Sequence, residues 1–242
     1  MPHYQTVDLC LLAFALVVMP VWSAWTGARV RRSAGAGDRL RRYRIIIVRA
    51  GIVSLVLVAS WMWLGRPFAA LGLGAIGWRG ALGFAVVAFL AVNLVQVLRI
   101  RSLSPEKTEL LRRQLDASRI IPHTDREFAW FPWVCVTGSI AEELLYRGFL
   151  LWALAPVAGI WGAVLISSAA FGFAHAYQGG KGVVRTGAIG LAFAIGFALT
   201  HSLWWLIGAH ILMNLSGYIY ARKLRAMSPV IARSRPSPAP CP

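Results

Sequence analysis

Charged residues are scarce in this sequence. Asp, Glu, Lys and Arg make up 14% of its 242 residues, whereas about a quarter is typical of soluble domains. Hydrophobic residues make up 58% and fall in long uninterrupted blocks. A helix that crosses a bilayer needs roughly 20 consecutive apolar residues, and a soluble core does not. The composition therefore excludes an ordinary soluble domain and predicts an all-α, polytopic bundle of transmembrane helices.

Cysteine is nearly absent. The three cysteines, Cys10, Cys135 and Cys241, are far apart and odd in number. Their positions indicate neither a disulfide framework nor a Cys-x-x-Cys metal site. Cys10 and Cys135 lie in apolar blocks, where a cysteine usually behaves as a small hydrophobic residue.

Acidic residues are few in comparison with basic ones. Nine Asp and Glu stand against 25 Lys and Arg, which gives a net charge of +16. A nucleic-acid-binding module would present such charge on one folded face, but here it collects in short loops between apolar blocks and in the C-terminal tail. This distribution is the positive-inside pattern of membrane proteins. It argues against a nucleic-acid partner and in favour of contact with a lipid bilayer.

The apolar blocks predict a topology. They cover residues 9–25, 45–64, 80–98, 128–154, 157–176, 186–200 and 203–221. Basic loops alternate between them so that the N-terminus lies outside and the C-terminus inside. An eighth, half-spanning segment stays open, so we expect seven to eight spans.

Three regions follow from this topology. Residues 1–127 form N-terminal transmembrane helices with basic cytoplasmic loops, and residues 128–222 form a helical core. Residues 223–242 are a basic tail, rich in Pro and Ser, that is expected to be disordered. Residues 104–115, within the third loop, predict either an interfacial amphipathic helix or a solvated linker.

Two adjacent acids, Glu142 and Glu143, lie inside an apolar block. A carboxylate within a bilayer costs at least ~2.5–3.5 kcal/mol on insertion scales, so the pair requires a reason. Glu143 and Arg147 are four residues apart, the spacing of an ion pair on one helical face. That pair can simply neutralise itself and hold helices together. Glu142 has no basic residue at such a spacing, so its partner must come from another span.

Candidate partners lie in or beside the last three spans. His175, His210 and Asn214 fall at a depth similar to that of Glu142, counted at about 1.5 Å per residue. A buried Glu can act as a general base, and His and Asn side chains can stabilise an oxyanion. A lone membrane His more often makes an interhelical hydrogen bond. His201 lies beside Trp204 and Trp205, so we interpret it as interfacial.

These residues resemble the motifs of the CPBP family of intramembrane endopeptidases, the CAAX proteases and bacteriocin-processing enzymes. The family pattern is EExxxR, then FxxxH, then HxxxN or HxxxD on successive membrane helices. The sequence has Glu142-Glu143 with Arg147, Phe171 with His175, and His210 with Asn214 in that order. The resemblance covers about residues 133–220.

The resemblance implies a role for each residue. Glu142 and His175 would activate water, while His210 and Asn214 would stabilise the oxyanion of the attacked peptide bond. Glu143, Arg147 and Phe171 would support the site. No cofactor is required on this mechanism; zinc stays open, although an HExxH motif is absent. The implied partner is a membrane-associated peptide or protein, CAAX-like or of the bacteriocin type, in a bacterial inner membrane.

Two other functions compete with the endopeptidase. A non-catalytic scaffold or bacteriocin-immunity partner could keep the same helices without turnover. A proton-coupled transporter would also place Glu and His inside the membrane. Transporters often carry inverted repeats, and no internal repeat is evident in this sequence, so the transporter is the least favoured.

Overall fold

All regular secondary structure is helical in the part of the protein that a computed structural model describes, residues 4–32, 39–99 and 120–233. The α-helices are α1 (Thr6–Ala13), α2 (Met19–Arg32), α3 (Arg39–Trp63), α4 (Trp78–Arg99), α5 (Asp125–Glu142), α6 (Leu150–Phe173), α7 (Gly180–Thr200) and α8 (Leu203–Arg233). Two π-helical segments, Phe14–Val18 and Glu143–Phe149, join α1 to α2 and α5 to α6. Short 3₁₀ turns cover Phe68–Leu71 and Ala176–Gln178. The prediction of an all-α fold is confirmed.

Four helical stretches are long and apolar enough to cross a membrane among the described residues. They are Thr6–Ala28, Arg39–Trp63, Asp125–Phe173 and Gly180–Thr200, and Trp78–Val92 is a shorter apolar helix. These stretches agree with an integral membrane protein. The count of seven to eight spans and the orientation of the termini stay predictions.

The stretch Asp125–Phe173 is divided in its second half by a break in α6. Its 49 residues would extend about 74 Å as one straight helix at 1.5 Å per residue, far more than the roughly 30 Å of a hydrocarbon core. Gly159 has φ 68° and ψ 165°, outside the helical range, and Pro156 precedes it. Glycine adopts a positive φ without a Cβ clash, and proline has no N–H to continue the helix. The predicted boundary at residues 155–156 therefore moves to Gly159.

The close crossing of α6 and α7 brings the end of α6 into the core. A Cβ atom at Gly172 would lie 2.9 Å from the Val183 carbonyl oxygen and 3.0 Å from the Gly187 Cα. Only a glycine permits this approach of two backbones. On the other side of the bundle, α5 packs against α3 and α8. The end of α5, the end of α6 and the middle of α8 consequently meet.

Two predicted non-helical regions are helical in part. The basic loop predicted for residues 29–44 is shorter than expected, because α2 continues to Arg32 and α3 already begins at Arg39. Residues 223–233 belong to α8, so the prediction of a disordered tail is wrong for that part. Both corrections have one cause, since a helix need not end where its apolar stripe ends. The predicted segment 104–115 and the rest of the tail, 234–242, lie outside the described residues.

A buried ion pair fixes the N-terminal helix. The Asp8 side chain is 1% exposed, and both of its oxygens lie 2.7 Å from the guanidinium nitrogens of Arg66. The Arg66 guanidinium also lies over the rings of Trp61 and Trp152, at 5.0 and 4.6 Å from their centroids. Tyr4 adds a hydrogen bond from its hydroxyl to the Ala153 carbonyl. Together these contacts connect α1 to the loop after α3 and to α6.

Asp8→Ala should lower the midpoint of thermal unfolding in detergent, because it leaves Arg66 without a counter-charge. Breaking a buried pair costs about 3–5 kcal/mol, and the 15% exposure of Arg66 points to the lower end. Asp125→Ala is the matched control, since its pair with Arg225 is 93% and 44% exposed and such pairs contribute about 0–1 kcal/mol. Equal midpoints for the two variants would contradict the interpretation.

Candidate active site

The two adjacent acids stand where α5 changes into a π-helical segment. Glu142 is the last residue of α5, and Glu143 is the first residue of the segment Glu143–Phe149, all of which is buried. Insertion of a π segment into an α-helix widens the turn and is frequent at functional sites. Its i→i+5 pattern is visible where the Leu150 N–H donates to the Leu145 carbonyl. The change from α to π geometry at this point affects the directions in which the Glu142 and Glu143 side chains project from the helix.

Glu143 is the centre of a buried polar network. Its carboxylate is 0% exposed, and Oε1 lies 3.0 Å from the Arg147 guanidinium and 2.7 Å from Nδ1 of His210. A buried carboxylate is stable only when it is paired and hydrogen-bonded. Glu143 therefore requires both Arg147 on its own helix and His210 on α8.

Arg147 extends the network to two further helices. Its guanidinium donates to the Gly190 carbonyl of α7 at 3.3 Å, and its Cζ lies 4.2 Å from the ring centroid of Phe171 on α6. A Cβ at Gly190 would lie 2.9 Å from the Phe171 ring and 3.5 Å from Arg147. The absence of a side chain at Gly190 thus makes room for the Phe171 ring, on which the guanidinium lies. Phe171 lies against the Arg147 guanidinium, and its supporting role stays a prediction.

Glu142 faces two histidines from different helices. Its Oε1 lies 3.9 Å from Nε2 of His175, and its Oε2 lies 3.7 Å from Nε2 of His210. The three side chains are 32%, 14% and 5% exposed in the order Glu142, His175, His210. Distances beyond 3.5 Å leave room for a bridging molecule. Glu142 is thus the accessible member of an otherwise buried group.

The orientation of His175 follows from its contact with the backbone. Its Nδ1 lies 2.9 Å from the Phe171 carbonyl oxygen, which can only accept a hydrogen bond. Nδ1 therefore carries the proton, and in the neutral ring Nε2 presents a lone pair to Glu142. The ring also lies near Tyr177, at 5.8 Å between centroids, and the Tyr177 N–H donates to the Ser23 hydroxyl of α2.

Asn214 lies one turn beyond His210 on α8. Its Nδ2 donates to the hydroxyl of Ser139 at 3.1 Å, and that hydroxyl donates to the Cys135 carbonyl at 2.7 Å. Ser139 is fully buried and precedes Glu142 by three residues. One N–H of the Asn214 amide is thereby used in the bond to Ser139, and the second N–H of the same amide is directed away from Ser139.

The structure thus brings together Glu142, His175 and His210, with Asn214 one turn away. His201 stands apart from this group: it is exposed and takes a positive φ of 49° where α7 ends. Its interfacial position stays a prediction. The hydrogen bond from His210 to Glu143 was not foreseen, because the sequence analysis assigned His210 only to the oxyanion. Ser139 was also missed; its spacing of three residues from Glu142 was the available signal.

No group of three or more His, Cys, Asp or Glu side chains has the arrangement of metal ligands within the described ranges. His210 Nδ1 is already occupied by Glu143, and His175 Nδ1 by a carbonyl oxygen. Each ring therefore presents only Nε2 to Glu142.

Comparison with known proteins identifies relatives of the segment that carries this site. Residues 124–216 match the family described as type II CAAX prenyl endopeptidase Rce1-like. The chain is 37% identical over 79 residues to the protein named "Putative membrane peptidase YdiL" of Bacillus subtilis (strain 168), which covers 33% of this chain and 32% of that protein. The match therefore spans about a third of the length of this curated relative. No solved structure matches the chain.

Arg147→Ala should lower the amount of folded protein in the membrane. The change leaves Glu143, at 0% exposure, without its cation, and removal of one partner of a buried pair costs about 3–5 kcal/mol. Quantitative immunoblotting and size-exclusion chromatography in mild detergent would measure the effect. Arg147→Ala with Glu143→Gln should recover part of the loss, because the second change removes the stranded charge. Unchanged abundance of Arg147→Ala would contradict the role of the network.

Proposed function

We propose, on the premise that residues 124–216 form an Rce1-like domain of the CPBP family, that this protein is an intramembrane endopeptidase. The observation that carries the proposal is the position of the Glu142 carboxylate between two imidazoles, at 3.9 and 3.7 Å. The proposed substrate is a membrane-associated peptide or protein, CAAX-like or of the bacteriocin type. The proposed location is the inner membrane of a bacterial cell.

The geometry supports different roles for Glu142 and His175 in activating one water molecule. Glu142 is the general base, because it is the most accessible carboxylate of the group. His175 has its proton on Nδ1, so its Nε2 lone pair accepts a hydrogen bond from the second O–H of that water. The water is thereby held by two acceptors, with its oxygen directed at the carbonyl carbon.

Hydrolysis then proceeds without a covalent enzyme intermediate. Glu142 accepts a proton as the water oxygen bonds to the peptide carbonyl carbon, and the carbonyl π electrons move to oxygen. His210 Nε2–H and the second N–H of Asn214 donate to the oxyanion. Glu142 returns its proton to the amide nitrogen as the C–N bond breaks. One water is consumed, an acid and an amine are released, and the carboxylate is restored.

The charges of these four groups balance in this scheme. His210 donates Nδ1–H to Glu143 and Nε2–H to the oxyanion, so both of its ring nitrogens act as donors in the reaction. His210 and Arg147 then offset Glu142 and Glu143. The hydrogen bond to Glu143 therefore serves the reaction as well as the fold.

Glu142→Gln should abolish cleavage of lipidated, membrane-tethered peptides by the purified protein. Loss of a general base lowers the rate by about 10²–10⁴-fold, while the amide is of similar size and should leave the fold intact. His175→Ala should be similarly impaired, and wild type assayed with and without a chelator tests for metal dependence. Full activity of Glu142→Gln would refute the proposed role. Absence of cleavage by folded wild type would favour a non-catalytic scaffold.

Ser139→Ala should lower kcat by about tenfold with little change in KM. Ser139 acts through Asn214, and the loss of a whole oxyanion donor costs about 10²–10³-fold, so partial misorientation costs less. The matched control is Ser168→Ala, since that buried hydroxyl donates to the Val164 carbonyl within α6. A rise in KM at constant kcat, or equal effects of both variants, would contradict a positioning role for Ser139.

A further inference from the structure

Arg49 is a membrane-embedded cation that the proposed reaction does not use. It lies within α3, in the span Arg39–Trp63, and its side chain is half-buried. It follows Arg44 by five residues, so it stands about 7.5 Å deeper along the helix than the basic cluster at the start of α3. A cation within an apolar span is unfavourable unless it serves a purpose, which makes Arg49 a candidate functional residue.

Arg49 differs from the other buried arginines in its partners. Arg66 pairs with Asp8 and Arg147 pairs with Glu143. No hydrogen bond or ion pair joins Arg49 to another side chain or carbonyl in the parts of the chain that the structure describes. Its planar donor fork is therefore available to an incoming acceptor.

Arg49 also lies close to the site. Helix α3 packs against the π-helical segment that begins at Glu143. The phenol of Tyr177, next to His175, is within electrostatic range of both Glu142 and Arg49: burial raises its pKa, Glu142 adds to the rise and Arg49 opposes it. The hydroxyl of Tyr146 is within range of the same two charges. The packing of α3 on the segment that begins at Glu143 places Arg49 on the side of the bundle that carries the site, and the two tyrosines agree with that position.

The charge balance of the reaction leaves Arg49 in excess. In the proposed scheme His210 and Arg147 offset Glu142 and Glu143, and the guanidinium of Arg49 is a further positive charge among the described residues on this side of the bundle. An unpaired cation attracts an anion, and the attraction is stronger where water is partly excluded. Guanidinium and carboxylate match in a bidentate pair, and this geometry is specific to arginine.

We propose that Arg49 binds a carboxylate of the substrate and thereby selects peptides that carry a negative charge near the cleaved bond. This inference rests on the proposed endopeptidase function and adds a specificity-determining residue from α3, outside the matched segment 124–216. The carboxylate is either the C-terminal one or an acidic side chain; both offer the same chemistry to the guanidinium.

Two alternative roles for Arg49 make different predictions. If the side chain reaches lipid phosphates instead, its removal should leave peptide selection unchanged. If it acts only as a counter-ion of Glu142, its removal should affect neutral and anionic peptides equally. Only a substrate contact predicts an effect that depends on the charge of the peptide.

The test is a double-mutant cycle in which the enzyme residue Arg49 and the charge of the peptide are changed separately and together. One lipidated peptide is prepared with a free C-terminal carboxylate, as its C-terminal amide, and with an internal Glu or Gln near the cleaved bond. Wild type should prefer the anionic member of one pair by about 10–100-fold in kcat/KM, the range of a hydrogen bond to a charged group. Arg49→Gln should lose this preference because its kcat/KM falls for the anionic peptide and stays unchanged for the neutral one. Arg49→Lys should keep part of the preference.

Arg44→Gln is the matched control. Arg44 belongs to the same helix and is exposed, with its guanidinium over the Trp130 ring at 5.4 Å. Its replacement should leave the preference intact. Equal loss on all peptides, or no loss, in Arg49→Gln would overturn the proposal.

A binding measurement separates this inference from the proposed function. Glu142→Gln protein should bind the anionic peptide more tightly than the neutral one by fluorescence anisotropy, and Glu142→Gln with Arg49→Gln should not. If wild type cleaves no peptide but this difference persists, the endopeptidase proposal fails and the carboxylate site stands. If the anionic and neutral peptides bind equally, the carboxylate site fails, whatever the activity.

Discussion

The fold of the core depends on one buried carboxylate. Glu143 has no access to solvent, so its negative charge has to be compensated by protein groups. Arg147 supplies the opposite charge and His210 supplies a hydrogen bond from α8. Because Arg147 also contacts α6 and α7, one charge couples four helical elements. A displacement of any of these elements would leave a buried polar group without its partner.

The same network determines which atoms are available for chemistry. Glu143 occupies Nδ1 of His210, and the Phe171 carbonyl occupies Nδ1 of His175. Both imidazoles therefore turn Nε2 towards Glu142. The roles proposed for Glu142 and the two histidines depend on these fixed orientations rather than on proximity alone. In the proposed mechanism, the atoms that stabilise the fold are therefore also those that orient the reacting groups.

Much of the candidate site could be predicted because ionisable residues are so rare in apolar blocks. Glu142 and Glu143 stand out in an apolar block, and no basic residue lies three or four positions from Glu142. The sequence therefore directed attention to other helices, from which His175 and His210 approach to 3.9 and 3.7 Å. Contacts between distant segments had no such signal. Asp8 and Arg66 are separated by the whole of α3, and the serine that orients Asn214 is an ordinary residue of a membrane helix. Arg49 was visible as a charge in block 45–64, but its neighbours were not.

The sequence by itself determined the helical membrane class, the approximate helix positions and which ionisable residues are unusual for an apolar block, because these depend on local composition and spacing. It did not determine the π-helical segment, the break at Gly159 or the pairing of His210 with Glu143. Those features arise from how helices cross and from which buried charges must be neutralised. Only the tertiary structure decides them, since the cost of an unpaired polar group depends on every element packed around it.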